Sequence, residues 1–282
     1  MLFKSLLNSN IKLLMNSLLQ KQIKKYLTEF KDNSVVNSFL TVVNTTYNKY
    51  EEKEKLVSLQ IENQHKSLEE FTKIISHDLK SPLRNIYTLT NWFKEDYKTQ
   101  LDDEGLKSLS LIAANVSKME DIISGLLEYS AIDNATIETY EVDLHFLVEE
   151  IISCITIPKG IQLVIENKLP TITGDKFRLQ QLFKNLIMNA IKYSKPEGGK
   201  ISIGGKNKER FWQFFVKDEG VGIEKSYYKN IFEMFKKISS DENSTGVGLP
   251  IAQKVVSFYK GEIWLKSEIN KGTTFYFTLP VK

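Results

Sequence analysis

With 282 residues, 41% hydrophobic and 26% charged, the chain has the apolar content to bury a core in one or two domains, which excludes a disordered tail. Its 38 Lys and Arg stand against 35 Asp and Glu, and a net charge of +3 gives no reason to expect nucleic-acid binding by the chain as a whole, so any basic surface must be local. The single Cys154 excludes an intrachain disulfide, no Cys/His grouping supplies a structural zinc site, and a reducing cytoplasm is the natural compartment.

No stretch approaches the roughly 18 uninterrupted apolar residues of a membrane-spanning helix. Residues 1–28 carry only positive charge, at Lys4, Lys12, Lys21, Lys24 and Lys25. Leu7, Ile11, Leu14 and Leu18 recur there in a coiled-coil rhythm. The segment reads as a helix packing on a dimer partner, or else as a membrane-surface helix or import signal. Asp32-Asn33-Ser34 marks a helix break, and Asn48 to Glu70 reads as a charged helical stalk with apolar residues at Val57, Ile61, Leu68, Phe71 and Ile75.

Indexed at about 100° per residue, the helix around His77 places Phe71, Ile75, Leu79, Leu83, Ile86, Leu89 and Phe93 in one arc opposite the imidazole. Pro82 removes one helical hydrogen bond and is expected to bend the helix just past the histidine. After Lys98 to Asp103 a second helix carries Leu106, Leu109, Ala113, Val116, Ile123 and Leu126 close to a heptad repeat. Two helices with one apolar stripe each cannot enclose a core alone, so two copies should pair as a four-helix bundle in a homodimer.

Beyond Ile132-Asp133-Asn134 the pattern changes. Ile161–Glu166, Phe211–Val216, Glu262–Lys266 and Thr274–Leu279 read as strands, and Phe177–Tyr193 and Val247–Tyr259 as helices. One mixed sheet covered by helices on a face satisfies this order, making the class α+β with a C-terminal α/β sandwich. The expected organisation is a helical segment of unassigned role at 1–50, a stalk and hairpin at 51–132, and the α/β domain at 133–282.

Four blocks of that last domain carry chemistry together. They are Asn185-Leu-Ile-Met-Asn189-Ala-Ile-Lys192-Tyr193, Asp218-Glu-Gly220-Val-Gly222-Ile223, Phe232-Glu-Met-Phe235 and Thr245-Gly246-Val247-Gly248-Leu249. Asp218 follows an apolar strand, and its acceptor-only carboxylate suits the exocyclic amine of adenine and repels the carbonyl of guanine. Gly220 and Gly222 are expected to let the backbone approach base and ribose. Gly246 and Gly248 precede a helix whose free N–H groups attract phosphate, beneath a short lid from Lys236 to Thr245. Asn185 and Asn189, four apart, share one helix face.

This order resembles the nucleotide-binding domain of the GHKL superfamily of histidine kinases, gyrase-type topoisomerases, mismatch-repair ATPases and one class of chaperone. Upstream, Ser76-His77-Asp78-Leu79-Lys80-Ser81-Pro82-Leu83-Arg84 resembles the phosphoacceptor box of histidine kinases. Asp175-Lys-Phe-Arg178-Leu-Gln and Lys271-Gly-Thr-Thr274-Phe are similar to histidine-kinase sequence, so the likeness covers about residues 65 to 280.

The resemblance implies an ATP site drawn from the four blocks and Thr274, with Asn189 holding Mg²⁺ through its amide oxygen, Lys192 near phosphate, and Phe232 and Phe235 packed under the lid. It implies His77 as phosphoacceptor and Asp78 as the group that takes or holds a ring proton as charge develops. The partners implied are a second copy of the chain and the aspartate of a response regulator; nucleic acid is not expected. Hydrolysing relatives carry a glutamate where this chain has Asn185, which cannot act as a general base, so the phosphoryl group needs an acceptor other than water. Ser81 stands where the family often has Thr or Asn, which leaves phosphatase activity open. His65 and His145 read as structural. Two other functions compete: an ATPase used as a conformational clamp, and a nucleotide-binding scaffold.

Overall fold

The computed structural model describes residues 34–132, 139–195, 197–236 and 244–281, and the chain divides into two compact units, Met1–Glu70 and Phe71–Lys282. The segment 1–28, the break at Asp32-Asn33, the boundary at Asp133-Asn134, the side chain of His65 and most of the lid lie outside the described residues.

Helix α1 covers Ser34–Asp96. In the first unit its side chains from Asn48 to Gln60 are exposed, Leu56, Val57 and Leu59 among them. In the second unit it continues through Pro82 and is followed by α2, Asp103–Ala131, so the expected bend does not end the helix. Helix α2 starts where it does because Asp102 Oδ1 accepts from the Gly105 N–H at 2.8 Å and Asp103 and Glu104 lie at the positive end of the helix dipole.

The two helices meet through Leu83, Val116 and Ile123, with Thr72, Ser76 and Thr90 also buried. The arc expected to be the seam is therefore only partly used within one chain. Leu83 is buried, whereas Ile75, Leu79, Ile86, Leu89 and Phe93 are 38–60% exposed. Periodicity located the apolar stripe, but two helices touch along one line and leave the rest of it open.

Among the described residues the α/β domain holds two sheets. Strands β1 (Tyr140–Asp143) and β3 (Thr171–Gly174) form a short antiparallel pair. The main sheet runs β2 (Ile161–Ile165), β4 (Gly199–Lys208), β5 (Phe211–Lys217), β7 (Gly272–Pro280), β6 (Ile263–Glu268), parallel only between β2 and β4. Helices α3 (Leu144–Cys154), α4 (Lys176–Lys192) and α5 (Gly248–Phe258) complete it. Asp143 caps α3 and Asp175 caps α4, and Asp175 also binds Arg178 at 2.7 Å. The core lies between α4, α5 and one sheet face. Phe214 and Phe277 stack at 5.2 Å there, and Phe183 of α4 sits edge-on to both.

His145 lies on α3, with Nε2 3.6 Å from a Glu149 carboxylate oxygen one helical turn on.

Candidate functional site

The side chain of His77 is 87% exposed, while its neighbour Ser76 is buried against the hairpin. Helical geometry thus anchors the turn on one side and presents the imidazole on the other. His77 Nδ1 lies 3.2 Å from Asp78 Oδ1, a distance at which Nδ1–H donates to the carboxylate and leaves the Nε2 lone pair outward. Pro82 has no N–H to give the carbonyl of Asp78, which loosens the helix one residue past the histidine. Ser81 and Arg84 are exposed at helical spacing from His77.

In the α/β domain, Asp218 directly follows β5 and is buried to 3% exposure. Its Oδ1 accepts from the N–H groups of Gly220 at 2.8 Å and Thr273 at 3.0 Å. Both donors converge on one oxygen, and Oδ2 remains for a donor such as an exocyclic amine. Burial raises the Asp218 pKa above the ordinary carboxylate value, and the two backbone donors pull it partly back.

The glycines beside Asp218 also lie tight against neighbouring backbone. A Cβ on Gly220 would lie 2.1 Å from the Tyr193 carbonyl oxygen, and one on Gly222, whose φ is +75°, 2.2 Å from the Glu268 carbonyl oxygen. The space on their Cβ side is filled by protein backbone, so they bolt the turn to the end of α4 and to the β6–β7 turn. Tyr193, Asp218, Gly220 and Gly222 are brought together in this way. Thr274, expected at the same site, follows the buried Thr273 on β7, and strand alternation sets its side chain on the opposite sheet face, beside Lys217 and Lys266. Ser267, Tyr228 and Thr273 complete the support: Ser267 Oγ accepts from Ile223 N–H at 2.7 Å, bonds Thr273 Oγ1 at 2.8 Å, and its carbonyl accepts from Tyr228 OH at 2.8 Å. Sequence reasoning did not find these three, since Ser267 and Tyr228 carry no local signal and Thr273 only a hydroxyl beside Thr274.

The second corner forms where α5 begins. Helices α2, α3 and α4 are each capped by an aspartate, but α5 starts at Gly248 with no side-chain cap. Its first N–H groups and the positive end of its dipole therefore remain available to an anion. Asn185 Oδ1 would lie 3.0 Å from a Cβ on Gly248, which places α4's asparagine face against this helix start. Asn189 stands one turn further on and is half-buried.

The residues present fit Mg²⁺ in one way. Among the described residues no three His, Cys, Asp or Glu gather in a cluster, so an ion would take the Asn189 amide oxygen with oxygens of a nucleotide and water, as this hard cation prefers. Lys192 is exposed at the end of α4, its ammonium 5.7 Å from the Tyr193 ring.

Phe235 N–H donates to the Gly246 carbonyl at 2.8 Å, which ties the two ends of the lid region together. Phe232 packs on the core, but Phe235 is half-exposed with a φ of +63° and is no core residue, because its left-handed backbone turns the side chain outward. Thr245 is half-buried, and Leu249 packs on the core.

The side chain of Val247 points elsewhere than to a nucleotide. It is 2% exposed and meets Gly125 of α2, where an added Cβ would lie 2.6 Å from Val247 Cγ1. Beside it, Lys254 donates to the Tyr129 carbonyl at 2.7 Å, and Arg178 to the Ile132 carbonyl at 3.1 Å. The last turn of α2 has no basic residue of its own, so cations of the α/β domain satisfy its free carbonyls. Gly125→Ala is expected to overpack this contact at a cost of about 1–3 kcal/mol. Thermal unfolding should show a lower midpoint, and hydrogen exchange should show faster labelling of Gly125 to Ala131. Unchanged exchange there would refute the contact.

Residues 67–135 match the family described as His Kinase A (phospho-acceptor) domain, and residues 174–282 the family described as histidine kinase-, DNA gyrase B-, and HSP90-like ATPase. The chain is 34% identical over 230 residues to cyanobacterial phytochrome B of Nostoc sp., covering 79% of this chain and 31% of that protein. It is 33% identical to the heme sensor protein HssS of Staphylococcus haemolyticus, over 74% of this chain and 46% of the relative. The methanogenesis regulatory histidine kinase FilI of Methanothrix harundinacea is 30% identical over 78% of this chain and 25% of its own length. The chain thus spans about a third of the length of the phytochromes it matches. Full-length ShkA in complex with AMPPNP shares the fold, with a TM-score of 0.58 and 23% identity over 75% of this chain and 45% of that one. The Acinetobacter baumannii histidine kinase AdeS does so with a TM-score of 0.51 and 22% identity over 73% and 98%.

Proposed function

Since the chain belongs to the histidine kinases, joining their phospho-acceptor domain to their ATPase domain, we propose that it phosphorylates its own His77 from ATP and passes the phosphoryl group to an aspartate of a response regulator. The observation that carries this reading is an exposed imidazole whose Nδ1 is held by Asp78 at 3.2 Å, in the same chain as a buried carboxylate with one oxygen to spare.

Adenine is held through Asp218 Oδ2, and phosphates lie at the uncapped start of α5. Asn189 would hold Mg²⁺, which supplies charge neutralisation at the phosphates. Nε2 of His77 attacks the γ-phosphorus in line; the N–P bond forms as the bond to the bridging oxygen breaks, and ADP leaves with that electron pair. Asp78 keeps the Nδ1 proton and stabilises the cationic ring. The resulting phosphoramidate hands its phosphoryl group to a carboxylate, and the His77 nitrogen takes back its electron pair.

The domain limits at 51–132 and 133–282 are part of this reading; the family matches, 67–135 and 174–282, support a helical half followed by an ATPase half and fix neither limit. The open arc of Ile75, Leu79, Ile86, Leu89 and Phe93 supports a homodimer whose second copy covers it. Leu79→Glu with Leu89→Glu should convert that dimer to monomer in sedimentation velocity, and an unaltered dimer would refute the seam. Among the described residues no helix is long and apolar enough to cross a membrane; a cytoplasmic setting is proposed from the supply of ATP.

Asn185 separates this reading from a clamp ATPase. An amide cannot take a proton from water at neutral pH, so ATP turnover should stop after one phosphoryl group per chain when no response regulator is added. Quench-flow counting of ADP against labelled protein checks this, and sustained ADP release would favour the clamp.

A further inference from the structure

One face of the five-stranded sheet is buried under α4 and α5 through Ile201, Ile203, Phe214, Val216, Phe275 and Phe277. The other face is open. There, strand alternation sets Phe215, Tyr276 and Trp264 in one row across β5, β7 and β6, because Phe215 pairs with Tyr276 and Tyr276 with Trp264. Lysines flank the row at both ends. Lys217 and Lys266 each stand opposite Thr274, and Lys206 and Lys208 stand opposite Gln213 and Phe211. Together they line a groove of about 540 Å³, distinct from the corners around Asp218 and Gly248.

Lysine stems commonly cover the wet face of a sheet. Two features go beyond that covering. Among the described residues none of the four lysines has a carboxylate within ion-pair reach, and the one acid of the groove, Glu166, lies 3.7 Å from Lys200 instead. Four uncompensated cations repel one another and attract an anionic partner. The aromatic row also lies at the centre with charge at the rim, the layout of a protein docking site.

We propose that this groove docks an extended acidic segment of a partner protein, with carboxylates against the lysines and apolar side chains against the aromatic row. Side chains on one face of an extended strand repeat at about 6.6–6.8 Å, the same spacing that separates Lys206 from Lys208 along β4. Single-stranded nucleic acid fits less well, because bases need free ring faces. Trp264 and Tyr276 stack on each other at 5.6 Å, and the Lys266 ammonium lies 5.9 Å from the Tyr276 ring.

The test uses the full chain and a fluorescent peptide alternating glutamate with leucine, with a glutamine-for-glutamate peptide and oligothymidylate as comparisons. Anisotropy should show binding of the acidic peptide that weakens as salt rises. Lys206→Glu with Lys266→Glu should weaken it roughly tenfold or more, and Trp264→Ala should weaken it at unchanged charge. Nucleotide binding by the variants reports that they are folded, and Lys206→Gln with Lys266→Gln gives a milder pair should the reversal misfold. No binding of the acidic peptide, binding unmoved by either pair, equal binding of the glutamine peptide, or tighter binding of oligothymidylate would each overturn the proposal.

Discussion

His77→Gln is expected to abolish the acid-labile, base-stable label that γ-labelled ATP leaves on the chain, while nucleotide binding stays intact. The side chain is 87% exposed and among the described residues its one polar contact is to Asp78, so its loss should move stability by no more than about 0.5 kcal/mol. Glutamine matches the reach and polarity of imidazole but has no ring nitrogen with a lone pair free to form a phosphoramidate. Asp78→Asn should act on rate alone, slowing labelling by roughly 100-fold, because an amide still contacts Nδ1 but cannot balance the charge that develops on the ring. Label that survives at wild-type level in His77→Gln would remove the central claim. Label unaffected in Asp78→Asn would remove only the role given to the carboxylate.

The parts of this site legible in the sequence were those whose signal is local. Asp218 after an apolar strand, glycines before a helix, and two asparagines one turn apart all declare themselves within a few residues. What escaped depends on residues far apart in the chain. Strand β4, Gly199–Lys208, contains three glycines and three lysines, poor strand formers alone. It forms because β2 and β5 pair with both its edges, and because Gly204 and Gly205 leave room for the rings of Phe215 and Phe214. Strands β1 and β3 are four residues each and pair across α3, β2 and the turns between them. Arg178 and Lys254 finish the end of α2 from 46 and 125 residues away, which no helix-stop pattern in α2 predicts. The apolar arc of α1 is legible as a stripe on one side of the helix. Periodicity could not say whether its partner was in the same chain, and among the described residues of that stripe only Leu83 is buried within this chain.

Asp218→Asn should separate nucleotide recognition from folding, because the two depend on different oxygens of one carboxylate. The N–H groups of Gly220 and Thr273 both point at Oδ1, so an asparagine must keep its carbonyl oxygen there and turn its NH₂ to the place of Oδ2. That donor then faces the adenine amine, another donor, and ATP should bind roughly 10- to 100-fold more weakly, about 1–3 kcal/mol. GTP, whose six-position is an acceptor, should gain relative to ATP. Stability should move the other way. Burial raises the folded-state pKa of Asp218 above the ordinary carboxylate value, so between the two values the folded chain holds a proton that the unfolded chain releases. The carboxyl therefore contributes stability at low pH that is lost as pH rises through its folded pKa, and at neutral pH the buried charge is carried at a cost. Asparagine keeps both backbone hydrogen bonds without that charge, so the nucleotide-free variant should unfold no earlier than wild type at neutral pH, and its stability should change less with pH across the acidic range. Calorimetric titration with ATP and GTP beside thermal unfolding measures both halves. Unchanged ATP affinity would free Asp218 from adenine recognition, and a large loss of stability at neutral pH would mean that Oδ2 holds the fold together through contacts other than the two that define its partner oxygen.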